Sequence, residues 1–428
     1  MTDLLEAKGT RRGPIAVLLR PDVLVPVGVT ILAGAIRLWN LAQPASLVWD
    51  EVYYGVDAAN PFSADVELRA VHPPVGTKLI GLGVALFGED AFGRRIMPWL
   101  AGTLVVLLTY FLARRLLGSV WWSGLVALFV ALDGLQIVNS RTAVLEIFLS
   151  LFVLAGTLLF LRHLEASRAS PGHLGPWTLA CGLVMGLAVS TKWIVAPALA
   201  GMIVLTFLDA DPTARRSLVR PVLVAFVLTP LAVYVASYTG TWVATDTTPL
   251  EWVHRQLDIL EFHRDLAAPH AFASRAIGWP LMIRPVPYFT ATRPDGQALE
   301  ILAVGNPALW WSFVVALPVL LVSWWRERHR TVEVVLAAWL VLYVPWVLVL
   351  RNQIFFYYLT PFVPFMALGL VWCLREATRR TRFGRPLTVM VTGAVVVCAV
   401  VFLPLWLGLW VSPEHLERLL LFEGWHFR

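Results

Sequence analysis

The stretch IMPWLAGTLVVLLTYFLARRLLGSVWWSGLVALFVALDG, residues 96–134, decides the fold class. Two apolar runs of near-spanning length flank Arg114 and Arg115, and no other charge appears before Asp133. A run of about 20 apolar residues is what a helix needs to cross the hydrocarbon core of a bilayer. A pair of arginines between two such runs reads as a short cytoplasmic loop.

Working outward, the same pattern recurs along the chain. Spanning helices are expected near 22–39, 96–113, 122–139, 142–161, 176–190, 193–208, 220–238, 308–323, 332–349, 355–374 and 386–410, eleven in all. The break between 176–190 and 193–208 is only Thr191 and Lys192. The composition agrees: 58% of the 428 residues are apolar and 14% charged, which no ordinary soluble domain could cover with polar surface. The expected fold class is therefore an all-α polytopic membrane protein.

With the N-terminus inside, the arginine-rich segments all fall on the cytoplasmic side: Arg114/Arg115, Arg162/Arg168, Arg215/Arg216/Arg220, Arg326/Arg328/Arg330 and Arg375 to Arg385. The short outer connections carry little more than Arg141, Lys192 and Arg351, and the C-terminus is expected outside. Ala33-Gly34-Ala35 resembles a signal-cleavage site, but the apolar sequence continues through Ile36, Leu38 and Trp39, which favours a retained span. The formal charge of +6 comes mostly from arginines at the ends of apolar blocks, so it reads as topology and not as a nucleic-acid surface. Cys181, Cys373 and Cys398 lie inside apolar blocks, without metal-site spacing.

Two outer segments are too long to be connectors, 40–95 and 240–306. They divide the chain into an N-terminal transmembrane core over 1–239 containing the first loop, the second loop, and a C-terminal four-helix region over 307–428. The absence of an internal repeat argues against a repeated-half transporter.

Several residues in and around these loops could carry chemistry. Asp50-Glu51 is an adjacent carboxylate pair just outside the first span; it suits general-base work, and equally a solvated pair capping a short helix. His72 precedes Pro73-Pro74, which fix the entry of a short apolar stretch running to Phe87, expected to lie along the interface. Arg94 and Arg95 stand at the outer end of the second span, against the usual charge bias, where a lipid phosphate would pair with them. Arg141 and Glu146 mark the outer end of the fourth span. Their five-residue separation is a poor match within one helix, so Glu146 needs a partner from elsewhere. Asp133 and Lys192 read as structural ion pairs. His263 and His270 lack the companions of a zinc site, so no metal is expected, and no ligand spacing supports a divalent cation.

Together, Asp50-Glu51, His72-Pro73-Pro74, Arg95, Ser140-Arg141 with Glu146, and Ser190-Thr191-Lys192-Trp193 resemble the bacterial-type protein O-mannosyltransferases. So do Trp279-Pro280 through Arg284-Pro285 to Asn306-Pro307 and Trp310-Trp311, and the 355–364 segment. The resemblance implies a GT-C type glycosyltransferase that moves mannose, with inversion, from polyprenyl-phosphate mannose to Ser or Thr hydroxyls of secreted polypeptides. Its partners would be that lipid donor, the polypeptide acceptors and membrane lipids. It implies Asp50 as general base and Glu51 lining the donor or acceptor site. Arg95, with Arg94 beside it, would bind the donor phosphate, and His72, Arg141, Glu146 and His270 would shape the cleft. It departs from the family pattern at Glu146, commonly Asp, and at His270-Ala271-Phe272, commonly His-Pro-Tyr. Two other functions fit the same polytopic chain: a membrane glycosyltransferase acting on a lipid or cell-wall glycan, and a lipid or ion transporter.

Overall fold

The computed structural model describes residues 20–266, 269–349 and 353–426. Arg351, used above for topology, lies outside them. Eight helices among the described residues are long and apolar enough to cross a membrane: α1 (Pro21–Leu38), α4 (Ala91–Leu117), α7 (Glu146–Ala169), α10 (Arg215–Ser237), α12 (Pro307–Glu327), α13 (Arg330–Leu348), α14 (Phe356–Arg380) and α15 (Gly384–Leu407). Outside the membrane set, the first loop carries α2 (Glu51–Asp57) and α3 (Val75–Phe87). The second carries α11 (Pro249–Asp265), which opens on a Thr248/Glu251 capping box.

The other three expected spans form shorter apolar helices, α5 (Val120–Ala131), α8 (Pro176–Val189) and α9 (Trp193–Asp209). Their ends have local causes. The helix expected over 122–139 stops at Ala131 because Asp133 caps a new short helix, α6 (Gly134–Asn139), accepting the Gln136 N–H at 3.0 Å. The same carboxylate takes the Asn306 N–H at 3.0 Å and the Trp310 indole N–H at 2.8 Å. Asp133 is thus a structural joint between the N-terminal core and the start of α12, held by neutral donors where an ion pair was expected.

The centre of the bundle is α14. In its most apolar window 94% of residues are buried, against 22% in α1 and α15, which present most of their apolar surface outward. One feature departs from the all-helical expectation. Val286–Thr292 and Ala298–Ala303 form an antiparallel hairpin, β1 and β2, pairing Val286 with Ala303 and Thr292 with Ala298. The signal for it was in the sequence: Asp295-Gly296, with Gly296 at φ 85°, between two strand-like runs.

Candidate active site

The adjacent acids Asp50 and Glu51 have opposite fates. Glu51 is wholly buried and receives the Arg95 guanidinium as a fork, Nε to Oε1 and Nη2 to Oε2, both at 2.8 Å. The N–H groups of Val48 and Ala143 complete its shell, each at 2.9 Å. Arg95 spends its remaining N–H groups on the carbonyls of Leu41, Pro44 and Ser46, at 2.8–3.2 Å. With 1% of its surface exposed and every donor occupied, Arg95 is the peg on which the start of the first loop is wound. The phosphate-binding role expected for it, and the substrate-lining role expected for Glu51, do not fit this geometry.

Arg141 is corrected in the same way. Its guanidinium donates to the carbonyls of Arg37 (2.8 Å), Trp39 (2.6 Å) and Asn40 (3.3 Å), so it caps the C-terminal end of α1. Arg94 differs from both. Its stem packs on Gly55, its Nη1 makes one long bond to the Glu89 carbonyl (3.3 Å), and it forms no ion pair among the described residues. Of the pair it is the arginine whose N–H groups are not all taken up among the described residues.

Asp50 turns the other way and stays partly exposed. Tyr357, from the start of α14, donates its hydroxyl to Asp50 Oδ2 at 3.3 Å. Burial, and next the charge of Glu146, push the Asp50 carboxyl up to about 7, while Lys192 and the Tyr357 hydrogen bond oppose the rise. Glu146 finds its missing partner in Lys192, 2.6 Å away and from the loop between α8 and α9. The ammonium also sits 4.5 Å above the Tyr358 ring, a cation–π contact. Glu146 Oε2 is buried with no hydrogen-bond partner among the described residues. Lys192, read from the sequence only as a structural ion pair, is thus the cation grouped with Asp50.

Gly76 allows this grouping. A Cβ there would come within 2.5 Å of the Leu145 side chain and 3.0 Å of Thr191, so glycine lets α3 lie close against the residues that precede Glu146 and Lys192. The Val75 N–H to Ser190 carbonyl bond, 3.0 Å, ties the same joint.

His72 and His270 both pack against aromatic rings of the outer loops. His72 stacks on His263 (5.0 Å) and lies 6.1 Å from Tyr54, while His263 Nε2–H donates to the Val71 carbonyl at 2.8 Å, docking α11 on the first loop. His270 packs edge-on to Trp49 (5.8 Å) and Phe355 (5.0 Å). Burial holds its imidazole below the usual range, and its Nδ1 accepts the Phe272 N–H at 3.2 Å. No group of three or more His, Cys, Asp or Glu side chains among the described residues could hold a metal ion. A cavity of about 770 Å3, lined by Phe160, Met202, Trp324 and Phe365 among others, contains none of these residues.

The site therefore offers a carboxylate poised near neutrality, a buried ammonium and a wall of tyrosines, which is the equipment for activating a hydroxyl beside an anionic leaving group.

Comparison with known proteins agrees on one family. Residues 27–92 and 87–211 match the family described as dolichyl-phosphate-mannose-protein mannosyltransferase, and residues 250–425 match the C-terminal four-helix region of protein O-mannosyltransferase. The chain is 28% identical to a polyprenol-phosphate-mannose–protein mannosyltransferase of Mycobacterium tuberculosis, covering 95% of this chain and 94% of that protein. It is also 28% identical to the protein of the same name from Corynebacterium glutamicum, with 88% of each covered. In fold it is similar to a structure of the S. cerevisiae protein O-mannosyltransferase Pmt1-Pmt2 complex bound to the sugar donor, with a TM-score of 0.78 at 14% identity, covering 96% of this chain and 93% of that one. ArnT from Cupriavidus metallidurans is more distant, at a TM-score of 0.56 and 19% identity over 90% of this chain and 72% of that one. The chain belongs to the dolichyl-phosphate-mannose-protein mannosyltransferase family.

Proposed function

We propose that this glycosyltransferase moves mannose from polyprenyl-phosphate mannose to Ser or Thr hydroxyls of polypeptides on the extracytoplasmic face of the membrane, with Asp50 as the general base. The observation that carries the reading is the opposite facing of the two acids: Glu51 is consumed by Arg95, and Asp50 alone is presented beside Lys192. As the acceptor oxygen bonds to the anomeric carbon, its proton passes to Asp50. The bond from that carbon to the phosphate oxygen breaks, and its electron pair leaves with polyprenyl phosphate. Attack opposite the leaving group inverts the anomeric centre. The leaving phosphate is an anion, so no second acid is required. Membranes supplied with polyprenyl-phosphate mannose should label a Ser/Thr peptide; label confined to a glycolipid or cell-wall glycan would move the enzyme to another acceptor class.

Lys192 is assigned to the donor phosphate, with Glu146 orienting it. Lys192→Met alone leaves Glu146 buried without its counter-charge, so the informative variant is Glu146→Gln/Lys192→Met, which removes both charges. That protein should fold, yet show a donor KM raised about tenfold or more, together with a fall in kcat. An unchanged donor KM would return Lys192 to a purely structural role.

The reading also requires the Asp50 side of the bundle to face outward. Single cysteines at Ser63 and Asp295 should react with an impermeant thiol reagent in intact cells, and one at Arg382 only after lysis. The reverse pattern would overturn the orientation.

A further inference from the structure

Four non-glycine residues among the described ones have positive φ: Asn40, Trp49, Met282 and Arg328. Asn tolerates the left-handed region, and Met282 and Arg328 close helices, where that conformation is common. Trp49, at φ 48°, has neither excuse. A bulky side chain held there is strained and persists only where its surroundings impose it.

Those surroundings are visible. The Trp49 N–H donates to the Tyr288 carbonyl at 3.1 Å, and the indole stacks on the Tyr288 ring, 5.5 Å between centroids and 3° from parallel. Tyr288 is fixed in turn by its hydroxyl, which donates to Asn139 Oδ1 at 3.0 Å. Phe355 and Tyr357 close the box edge-on, at 6.0 and 6.2 Å. On either side of Trp49 the chain is pinned by Glu51: Val48 N–H donates to its carboxylate, and its own N–H donates to the Val48 carbonyl at 3.0 Å.

Successive side chains diverge by about 100° in a helix, so the different facing of Asp50 and Glu51 follows from their helical backbone, and what has to be set is how the chain enters that helix. Here Glu51 meets Arg95 while Asp50 meets Tyr357, and the residue that turns the chain between the two pinned points is Trp49. We infer that Trp49 is a positioning residue: its left-handed backbone, imposed by Tyr288 of the second outer loop and Phe355 and Tyr357 at the start of α14, aims Asp50 at the substrates. The inference rests on the reading of Asp50 as base. Its consequence is that the second loop forms part of the catalytic geometry without contributing the reacting group, because the hairpin strand β1 must be seated before Asp50 is aimed.

The test separates aiming from folding. Trp49→Gly adopts the same φ without strain but loses the ring that the box grips. Its kcat should fall about 100-fold while KM for the acceptor peptide stays within about threefold and the thermal transition in detergent is retained. Trp49→Phe keeps an aromatic ring in the box and should recover kcat to within about fivefold of the natural protein. Should Trp49→Gly fail to fold, Tyr288→Leu removes the stacking partner and leaves residue 49 intact; it should show the same loss of kcat, with Tyr288→Phe near normal. Natural kcat in Trp49→Gly, or in Tyr288→Leu, would overturn the inference, as would a loss in Trp49→Phe as deep as that in Trp49→Gly. Asp50→Asn assayed alongside keeps the two readings apart. A dead Asp50→Asn beside a fully active Trp49→Gly defeats the inference alone, whereas turnover by Asp50→Asn defeats the base assignment and the inference with it.

Discussion

Asp50→Asn should lower mannose transfer to a Ser/Thr peptide by about 1,000-fold or more, leaving expression and donor binding close to those of the natural protein. A Ser or Thr hydroxyl is a weak nucleophile at neutral pH, and the amide of Asn keeps the shape and the Tyr357 contact while losing the capacity to take a proton. The pH profile carries the same argument. Asp50 acts as a base only when ionised, and burial with the neighbouring charge of Glu146 pushes its carboxyl up to about 7. Activity should therefore rise with pH through about 7 and fall below it. Glu146→Gln removes the like charge and releases the Lys192 ammonium from its partner. Both effects favour the ionised carboxyl, so the acid limb should move to lower pH. The groups facing Asp50 are Glu146, Lys192 and Tyr357, and only the first two change charge effects in this variant. A limb that stays near 7 in Glu146→Gln would mean that some other group titrates. Near-normal turnover in Asp50→Asn, with loss in Glu51→Gln, would exchange the roles of the two acids.

The architecture was legible because its cause is local: apolar runs of spanning length and arginines at their ends. The site was legible only in part, because what decides it is distant in sequence. Asp50 and Glu51 are indistinguishable by their neighbours, and what separates them is a guanidinium 44 residues from Glu51 and a phenol 307 residues from Asp50. Arg95 looked available because its place against the usual charge bias is a local fact. The three carbonyls and one carboxylate that occupy it depend on how residues 41–51 fold back, which no periodicity encodes. Lys192 left a clear trace, a lone cation between two apolar helices, and read as one partner of an ion pair. The pair with Glu146 exists, and it is what places the ammonium beside Asp50. Tyr357 and Tyr358 lay in a segment that read as the start of a span and as part of the family resemblance, and nothing marked them as neighbours of the first loop. The hairpin is different: Asp295-Gly296 was a direct signal, passed over in a chain read as entirely helical.

Replacing Arg95 should damage folding before it touches chemistry. A buried carboxylate that loses its guanidinium while remaining in place costs about 3–5 kcal/mol, and here the loss would also strand the carbonyls of Leu41, Pro44 and Ser46. Arg95→Ala should therefore be recovered in low yield, with a thermal transition in detergent lowered by several degrees or more. Arg95→Lys keeps the charge but offers three N–H groups where five are used, and it cannot present a planar fork to Glu51, so it should fall between. Converting both partners, as in Glu51→Gln/Arg95→Met, removes the charge imbalance and should recover part of the stability, though not the bonds to the three carbonyls. Donor KM is the discriminating quantity. In whatever fraction of Arg95→Lys folds, it should stay within about threefold of the natural value, because every N–H of Arg95 is already taken by Glu51 and the carbonyls of Leu41, Pro44 and Ser46. A protein as stable as the natural one, but with donor KM raised about tenfold or more, would mean that the guanidinium leaves Glu51 for the phosphate during the reaction, and would restore the role its position on α4 suggested.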